Sequence, residues 1–394
     1  MPTKIMSINA GSSSLKFQLF EMPTEKTVAK GLFERLGSQD NAVFSYSFGT
    51  AKEKKELNRF SHKEAVDFLL NFLIEKKILS SLEELKGVGH RVAHGGEAFP
   101  HSCVIGIQEE AVIDELCQLA PLHNPVNLVG IRSFKEALPG VKQVAVFDTA
   151  FHQTMPSKNY IYPIPYDYYT QDGIRKYGFH GTSHQYVGDE AAKALGEQVE
   201  SLKIISCHLG NGASICAIKN GKSFDTSMGF TPLAGLMMGT RCGDIDPSIL
   251  TYLQKNKKMT PEDVEAMMNQ QSGFLGVSQL SNDSRDILKA ASEDNPQARL
   301  ALDIFTNRVK TTIGAYAAEM GGIDVVIFTA GIGENSAEIR QLCCSDLAFL
   351  GIELDENRNQ EGQSFIQKDG KSVYVMVIPT NEELKIAQDT FELV

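Results

Sequence analysis

The sequence predicts a mixed α/β fold made of two duplicated lobes, and three observations carry that prediction. The first is the stretch INAGSSSLKFQLF (Ile8–Phe20), in which an apolar run meets a small, hydroxyl-rich turn and then alternates apolar and polar again. The second is its counterpart SCHLGNGASICAI (Ser206–Ile218), roughly two hundred residues later, with the same strand, small-residue turn and strand. The third is DVVIFTAGIGENSAEIR (Asp324–Arg340), which reads as strand, glycine turn and helix. Two such hairpins in one chain suggest two lobes gripping one phosphate chain, with backbone N–H groups and hydroxyls as donors. On the first hairpin alone, a polar β-turn of no functional meaning is the stronger reading.

The elements follow in order. After the opening hairpin, Val28–Leu36 and Ala42–Gly49 are strand candidates. Ser61-His-Lys-Glu is a capping box, and the apolar residues behind it run to Ile74, so a helix starts there. Val88–Phe99 has strand character before its glycines, and helical patterns follow at Gln108–Leu119 and Pro125–Ala137. Val141–His152 reads as a buried strand ending in an Asp-Thr turn. Tyr160–Tyr169 is rich in Tyr and Pro and reads as irregular. Phe230–Ser248 carries too much Gly and Pro to form one element. Thr260-Pro-Glu-Asp starts a helix with proline at its first position, and a long helix lies near Arg299–Met320. The last unit, from Ser372, is strand, Pro-Thr-Asn turn and helix.

Composition bounds the function. A chain of 394 residues accommodates two domains with cores of their own. The division expected is residues 1–150 for the first and 151–380 for the second, with the C-terminal helix, 381–394, packing back onto the first. A formal net charge of −11 argues against a nucleic-acid binder or a polybasic membrane protein. Seven scattered cysteines, with no Cys-x-x-Cys pair, read as a reduced intracellular protein. No leader pattern and no apolar run of spanning length is present, so the expectation is cytoplasmic.

The motifs NAGSSSLK, GHRVAHGGE, FDTAFHQTMP, YGFHGTSH, CHLGNGASICAI, MGTRCGDIDPS, TAGIGENS and PTNEE occur in this order along nearly the whole chain. In this the chain resembles the acetokinase family of the sugar kinase, Hsp70 and actin superfold. The resemblance implies a duplicated ribonuclease H-like fold with an active-site cleft between lobes. It also implies reversible transfer of the ATP γ-phosphoryl group to acetate, giving acetyl phosphate and ADP, with Mg²⁺ (or Mn²⁺), in a homodimer.

The resemblance distributes the roles. Asn9 and Glu382 fall to the metal, and Lys16, Ser12 and Ser14 to the ATP phosphates. His208, Leu209, Gly210, Asn211 and Gly212 form a second phosphate turn. Asp283, Ser284 and Arg285, with Gly331, Ile332, Gly333, Glu334 and Asn335, surround ribose and adenine. Arg91 takes the substrate carboxylate, and Arg91, Arg241 and His180 stabilise charge on the transferred group. Ala93, Leu122, Phe179 and Pro232 wall the methyl pocket. Many family members carry valine where this chain has Ala93, and the missing methyls leave space for about one extra carbon, worth roughly 1 kcal/mol. Propionate is therefore a competing substrate.

The residue types suit those roles. Guanidinium forks clamp oxygens that share spreading charge. On the residues alone, both arginines sit in glycine-flanked turns and are equally well read as structural cations, Arg241 paired with Asp244 or Asp246. Glu382 and Glu383 also fit as first-turn acids of a helix. His184, four residues beyond His180, reads as structural. Asp148 is assigned to catalysis without being a base, because a carboxylate nucleophile is already ionised at pH 7; it is expected to orient Arg91 or a metal-bound water. The competing reading from a different class is an Hsp70- or actin-like ATPase with no small acceptor.

Overall fold

A computed structural model of the chain describes residues 2–394. Its contacts divide it into two units, one running to Phe151 and including Asn381–Val394, the other His152–Thr380. Each is built on one mixed sheet.

In the first unit, β1 (Thr3–Gly11) and β2 (Ser14–Met22) pair antiparallel from Thr3 opposite Met22 down to Gly11 opposite Ser14, so Ser12 and Ser13 make a tight turn. The chain continues as a meander through β3 (Lys26–Glu34), β4 (Val43–Phe48) and β5 (Ala51–Glu56). Strand β6 (Leu85–Val92) lies parallel to β1, and β8 (Lys142–Phe147) parallel to β6, with the two-residue β7 (Cys103–Val104) at the far edge. Alternation decides the faces: Leu15, Phe17 and Leu19 point into one core with Phe33 and Phe44. That core includes Val66, Leu69 and Leu73 of helix His62–Glu75, each burial worth about 1.5–3 kcal/mol. This helix begins at the expected capping box, Ser61 N–H donating to Glu64 Oε2 at 2.7 Å.

The C-terminal helix Glu382–Leu393 packs on β1 and β6. It approaches so closely that a Cβ on Gly89 would stand 2.1 Å from Thr390 Oγ1. Only glycine fits there, and the close seat brings the helix's first turn beside the end of β6.

In the second unit, β9 (Lys203–Leu209), β10 (Ala213–Lys219) and β11 (Lys222–Thr226) are antiparallel, while β12 (Val325–Thr329) runs parallel to β9 and β13 (Tyr374–Val377) parallel to β12. The duplication is explicit in the strand orders. The run β3-β2-β1-β6-β8 and the sheet β11-β10-β9-β12-β13 each have three antiparallel strands followed by two parallel ones. Helix Pro296–Met320 packs on β9 and β10, and Phe305, Val309 and Ile313 join the core there. Helix Pro261–Gln270 starts as expected, Thr260 and Asp263 capping each other reciprocally.

The structure corrects three readings. Arg91 lies inside β6 rather than in a turn, so sheet pairing fixes its backbone. Gly331-Ile332-Gly333 belongs to a short helix, Ala330–Asn335, and not to a turn before one. Strand β5 was not foreseen, because AKEKKE lacks an apolar alternation. Phe230–Pro247 holds no helix or strand, as expected. Among the described residues no helix is long and apolar enough to cross a membrane.

Candidate active site

The first unit gathers charge at the ends of β1, β6 and β8. Arg91 Nε donates to Asp148 Oδ1 at 3.0 Å and Nη2 to Oδ2 at 2.5 Å, a bidentate pair. Arg91 Nη1 also reaches Asn9 Oδ1 at 3.4 Å. Asp148 beside it pushes the guanidinium above its ordinary range, so Arg91 stays charged. Glu382 and Glu383 add their charge from the first turn of the C-terminal helix, where Asn381 is the cap. Lys16 pairs with Glu383.

This cluster holds three carboxylates, Asp148, Glu382 and Glu383, against two cations, Arg91 and Lys16. Burial pushes the Glu382 carboxyl up to about 7; Arg91 pulls against that, and Asp148 and Glu383 add to it. Asn9 and Glu382 each offer a side-chain oxygen at this cluster, the ligand type that a divalent cation such as Mg²⁺ takes. Among the described residues no group of three His, Cys, Asp or Glu side chains could hold a metal on its own.

The wall residues of this unit are set differently. Ala93, just past β6, is 6% exposed and its N–H donates to Asn127 Oδ1 at 3.0 Å, whereas Leu122 is 76% exposed. Ser12 is exposed in the hairpin turn, and Ser14 is partly buried at the start of β2.

The second unit gathers histidines, an arginine and glycine turns. His180 precedes helix Gly181–Leu195 at the N-cap position, in the left-handed region at φ 57°, and its side chain makes no cap hydrogen bond. The ring stacks on His208 at a centroid distance of 4.1 Å. Its Nδ1 lies 2.9 Å from Ser214 Oγ. Arg241 is partly buried, donates to Pro232 O at 3.3 Å, and among the described residues has no carboxylate partner. Burial lowers its pKa. The pairing with Asp244 or Asp246 is therefore not found: Asp244 Oδ1 accepts from Gly235 N–H instead, at 2.8 Å. The two groups converge on Gly212, whose missing Cβ would stand 3.5 Å from Arg241 Nη1 and 3.8 Å from His180 Nε2.

Beside this point is a cavity of about 570 Å³, lined by Gly210, Asn211, Asp283, Ser284, Arg285, Gly331, Ile332 and Asn335, all anticipated, and by Asn282, Leu288 and Ser336, which were not. Asp283 caps the helix starting at Ser284 and forks with Arg285, Oδ2 accepting from Nη2 at 2.6 Å. Three assigned residues do not reach the cavity with their side chains: His208, whose Nδ1 lies 2.8 Å from Ser183 Oγ and whose ring stacks on His180, Leu209 and Glu334. Leu209 is fully buried in the core, so only its main chain is available. Glu334 Oε1 accepts from Ala330 N–H at 2.8 Å and Thr380 N–H at 3.1 Å, which makes it a backbone anchor. Gly333 is buried, and Phe179 is a core residue of this unit.

The sequence reading missed Ser183, Ser206, Ser214 and Thr380. Ser183 Oγ lies 2.8 Å from His208 Nδ1 and 2.7 Å from Thr380 Oγ1. The available signal was alternation: Ser206, His208 and Ser214 occupy positions on paired strands where apolar residues would be the rule.

The acetokinase family model matches residues 4–388 of the chain. The acetate kinase of Clostridium novyi (strain NT) is 53% identical over 396 residues, covering 99% of this chain and 98% of that protein. The propionate kinase of Citrobacter rodentium (strain ICC168) is 53% identical over 393 residues, covering 100% of this chain and 97% of its own. The crystal structure of Porphyromonas gingivalis acetate kinase superposes with a TM-score of 0.94 at 45% identity, with 99% of each chain covered.

Proposed function

The chain belongs to the acetokinase family, and from that premise we propose that it transfers the γ-phosphoryl group of ATP to the carboxylate of acetate, reversibly. A carboxylate oxygen forms a bond to the γ-phosphorus, the bond from that phosphorus to the β,γ-bridging oxygen breaks, and acetyl phosphate and ADP result. Phosphoryl transfer of this kind needs positioning and charge stabilisation more than proton transfer.

The observation that carries this reading is Arg241, a partly buried guanidinium with no carboxylate partner, converging with His180 on Gly212. A buried cation of this kind is stabilised by an anion. In the turn at Gly210–Gly212 the Gly210 N–H donates to Gly212 O at 3.1 Å, so the main-chain N–H groups of Asn211 and Gly212 are the ones that would donate to a phosphate beside the same point. The cavity bounded by Asp283, Arg285 and the Ala330–Asn335 helix takes ribose and base. Arg91, oriented by Asp148, holds the acid's carboxylate. Asn9 and Glu382 would hold Mg²⁺, which would supply neutralising charge to the nucleotide phosphates. Lys16, Ser12 and Ser14 contribute to the phosphates from the first hairpin. Seven free thiols support a reducing, cytoplasmic setting, and the family resemblance supports a homodimer.

A second acid has its own support: Ala93 is small, and a propionate kinase is 53% identical. Hydroxamate trapping of the acyl phosphate formed from ATP with acetate, propionate or butyrate tests the proposal. Acetyl hydroxamate that depends on both ATP and acetate is expected. ATP hydrolysis indifferent to any acid would favour a simple ATPase.

A further inference from the structure

His184 stands one helical turn beyond His180, so both rings reach Ser214 on β10. Ser214 Oγ is 2.9 Å from His180 Nδ1 and 2.7 Å from His184 Nε2, and Ser206 Oγ is 2.9 Å from His184 Nδ1. Ser206, His184 and Ser214 are fully buried. Among the described residues, neither hydroxyl has a side-chain or backbone acceptor other than these rings.

The hydroxyls carry one proton each, and a neutral imidazole has one N–H. Burial pushes His184 well below its ordinary range, so its ring stays neutral. Only one arrangement of protons then leaves none stranded. Ser206 must donate to His184 Nδ1, because it has nowhere else to donate. His184 therefore carries its proton on Nε2 and donates to Ser214 Oγ. Ser214 in turn has only His180 Nδ1 left as an acceptor. Every other arrangement buries a hydroxyl proton without a partner, which costs free energy.

We infer that Ser206, His184 and Ser214 form a one-way hydrogen-bonded line that fixes His180 as the tautomer with its proton on Nε2. That nitrogen lies 3.8 Å from where a Cβ on Gly212 would stand, and Arg241 Nη1 lies 3.5 Å from the same position. The line thus presents a donor to the Gly212 turn, where the proposed function places a phosphate oxygen. No proton moves along it during the reaction. Its three members are positioning residues, and they act through His180. The catalytic consequence rests on the assignment of His180 to the transferred phosphoryl group, while the tautomer itself does not.

The test is nitrogen NMR on full-length protein labelled with ¹⁵N-histidine and saturated with Mg²⁺ and ADP, the His180 signals being assigned by their loss in His180→Asn. The expected result is a protonated Nε2 and an unprotonated Nδ1 at His180. Ser206→Ala is expected to lower kcat about 10- to 100-fold while the KM values for acetate and ATP stay within about 2-fold, and Ser206→Thr, which keeps the hydroxyl, to recover most of the loss. A proton on His180 Nδ1 in the unmodified protein overturns the inference, and this readout needs no altered line residue to fold. Unchanged kcat and tautomer in Ser206→Ala overturn it as well. A protonated Nε2 combined with normal turnover in His180→Ala would uphold the line and overturn the catalytic assignment of His180 instead.

Discussion

Arg91, on β6, and Asp148, the first residue past the adjacent parallel strand β8, are joined by two parallel hydrogen bonds at 3.0 and 2.5 Å. The fork uses Nε and Nη2, which leaves Nη1 to approach Asn9. The geometry is that of an arginine held still by an acid. Asp148 is buried and both its oxygens accept from Arg91, an arrangement that supports the proposed orienting role, since a base would have to present an oxygen to an incoming group.

Replacing that acid gives the first prediction. Asp148→Asn is expected to lower kcat by about 10²- to 10³-fold through loss of the charged fork. The shape of the pH–kcat curve between about pH 6 and 9 should be retained, since acetate is ionised throughout. Rate measurements across that range check it; disappearance of one limb of the profile would assign Asp148 a proton-transfer role.

The two arginines should be separately indispensable. Arg91→Ala and Arg241→Ala are each expected to lower kcat by about 10²- to 10⁴-fold, each removing charge stabilisation at the transferred group. Arg241→Lys should recover little, because an ammonium cannot reproduce the planar fork. Folded variants with near-normal turnover would remove the arginines from the site.

Glu382 supplies a pH prediction. Its carboxyl is pushed up to about 7, from 4.5, mainly by burial. Between those values the folded chain holds a proton that the unfolded chain releases, so this group's contribution to stability falls as pH rises through that window. In metal-free protein, Glu382→Gln should therefore raise Tm at pH 8, and the gain should vanish toward pH 4.5. With Mg²⁺ and ADP the order should reverse at pH 8 if Glu382 is the metal ligand proposed above, because the variant would then lose it. Calorimetry at both pH values, with and without Mg²⁺ and ADP, reads both signs.

Local chemistry made much of this legible. The capping boxes at Ser61 and Thr260 depend only on residues three apart, and both helices begin there. Both hairpins were visible as alternation around small-residue turns. Strand β5 was not, because an edge strand of AKEKKE carries the lysines that keep edges unpaired and offers no apolar face to read. The line from Ser206 to His180 was hidden for another reason. Its members come from one helix and two strands, and only the register that sets Ser214 opposite His208, and Ser206 opposite Cys216, brings them together. Arg241's lack of an acid was equally invisible, since Asp244 lies three residues away and turns to Gly235.

Ala93 carries the last prediction. It is 6% exposed, and its N–H is held by Asn127, whose own Nδ2 donates to Ala10 O at 2.9 Å. The backbone is thus fixed, and a larger side chain cannot be accommodated by sliding the turn. If Ala93 faces the acyl group, Ala93→Val adds two methyls where the terminal carbon of propionate would sit and leaves acetate nearly untouched. At about 0.8 kcal/mol per methylene plus a steric penalty, the propionate-to-acetate ratio of kcat/KM should fall roughly 3- to 30-fold. KM for ATP should change little, since the cavity proposed for the nucleotide is lined by residues between 210 and 336. The competing account is that Ala93 only packs behind the turn, in which case valine overpacks it and slows both acids alike. Measuring both acids on both proteins separates the two, and an unchanged ratio would mean that Ala93 does not contact the acyl group.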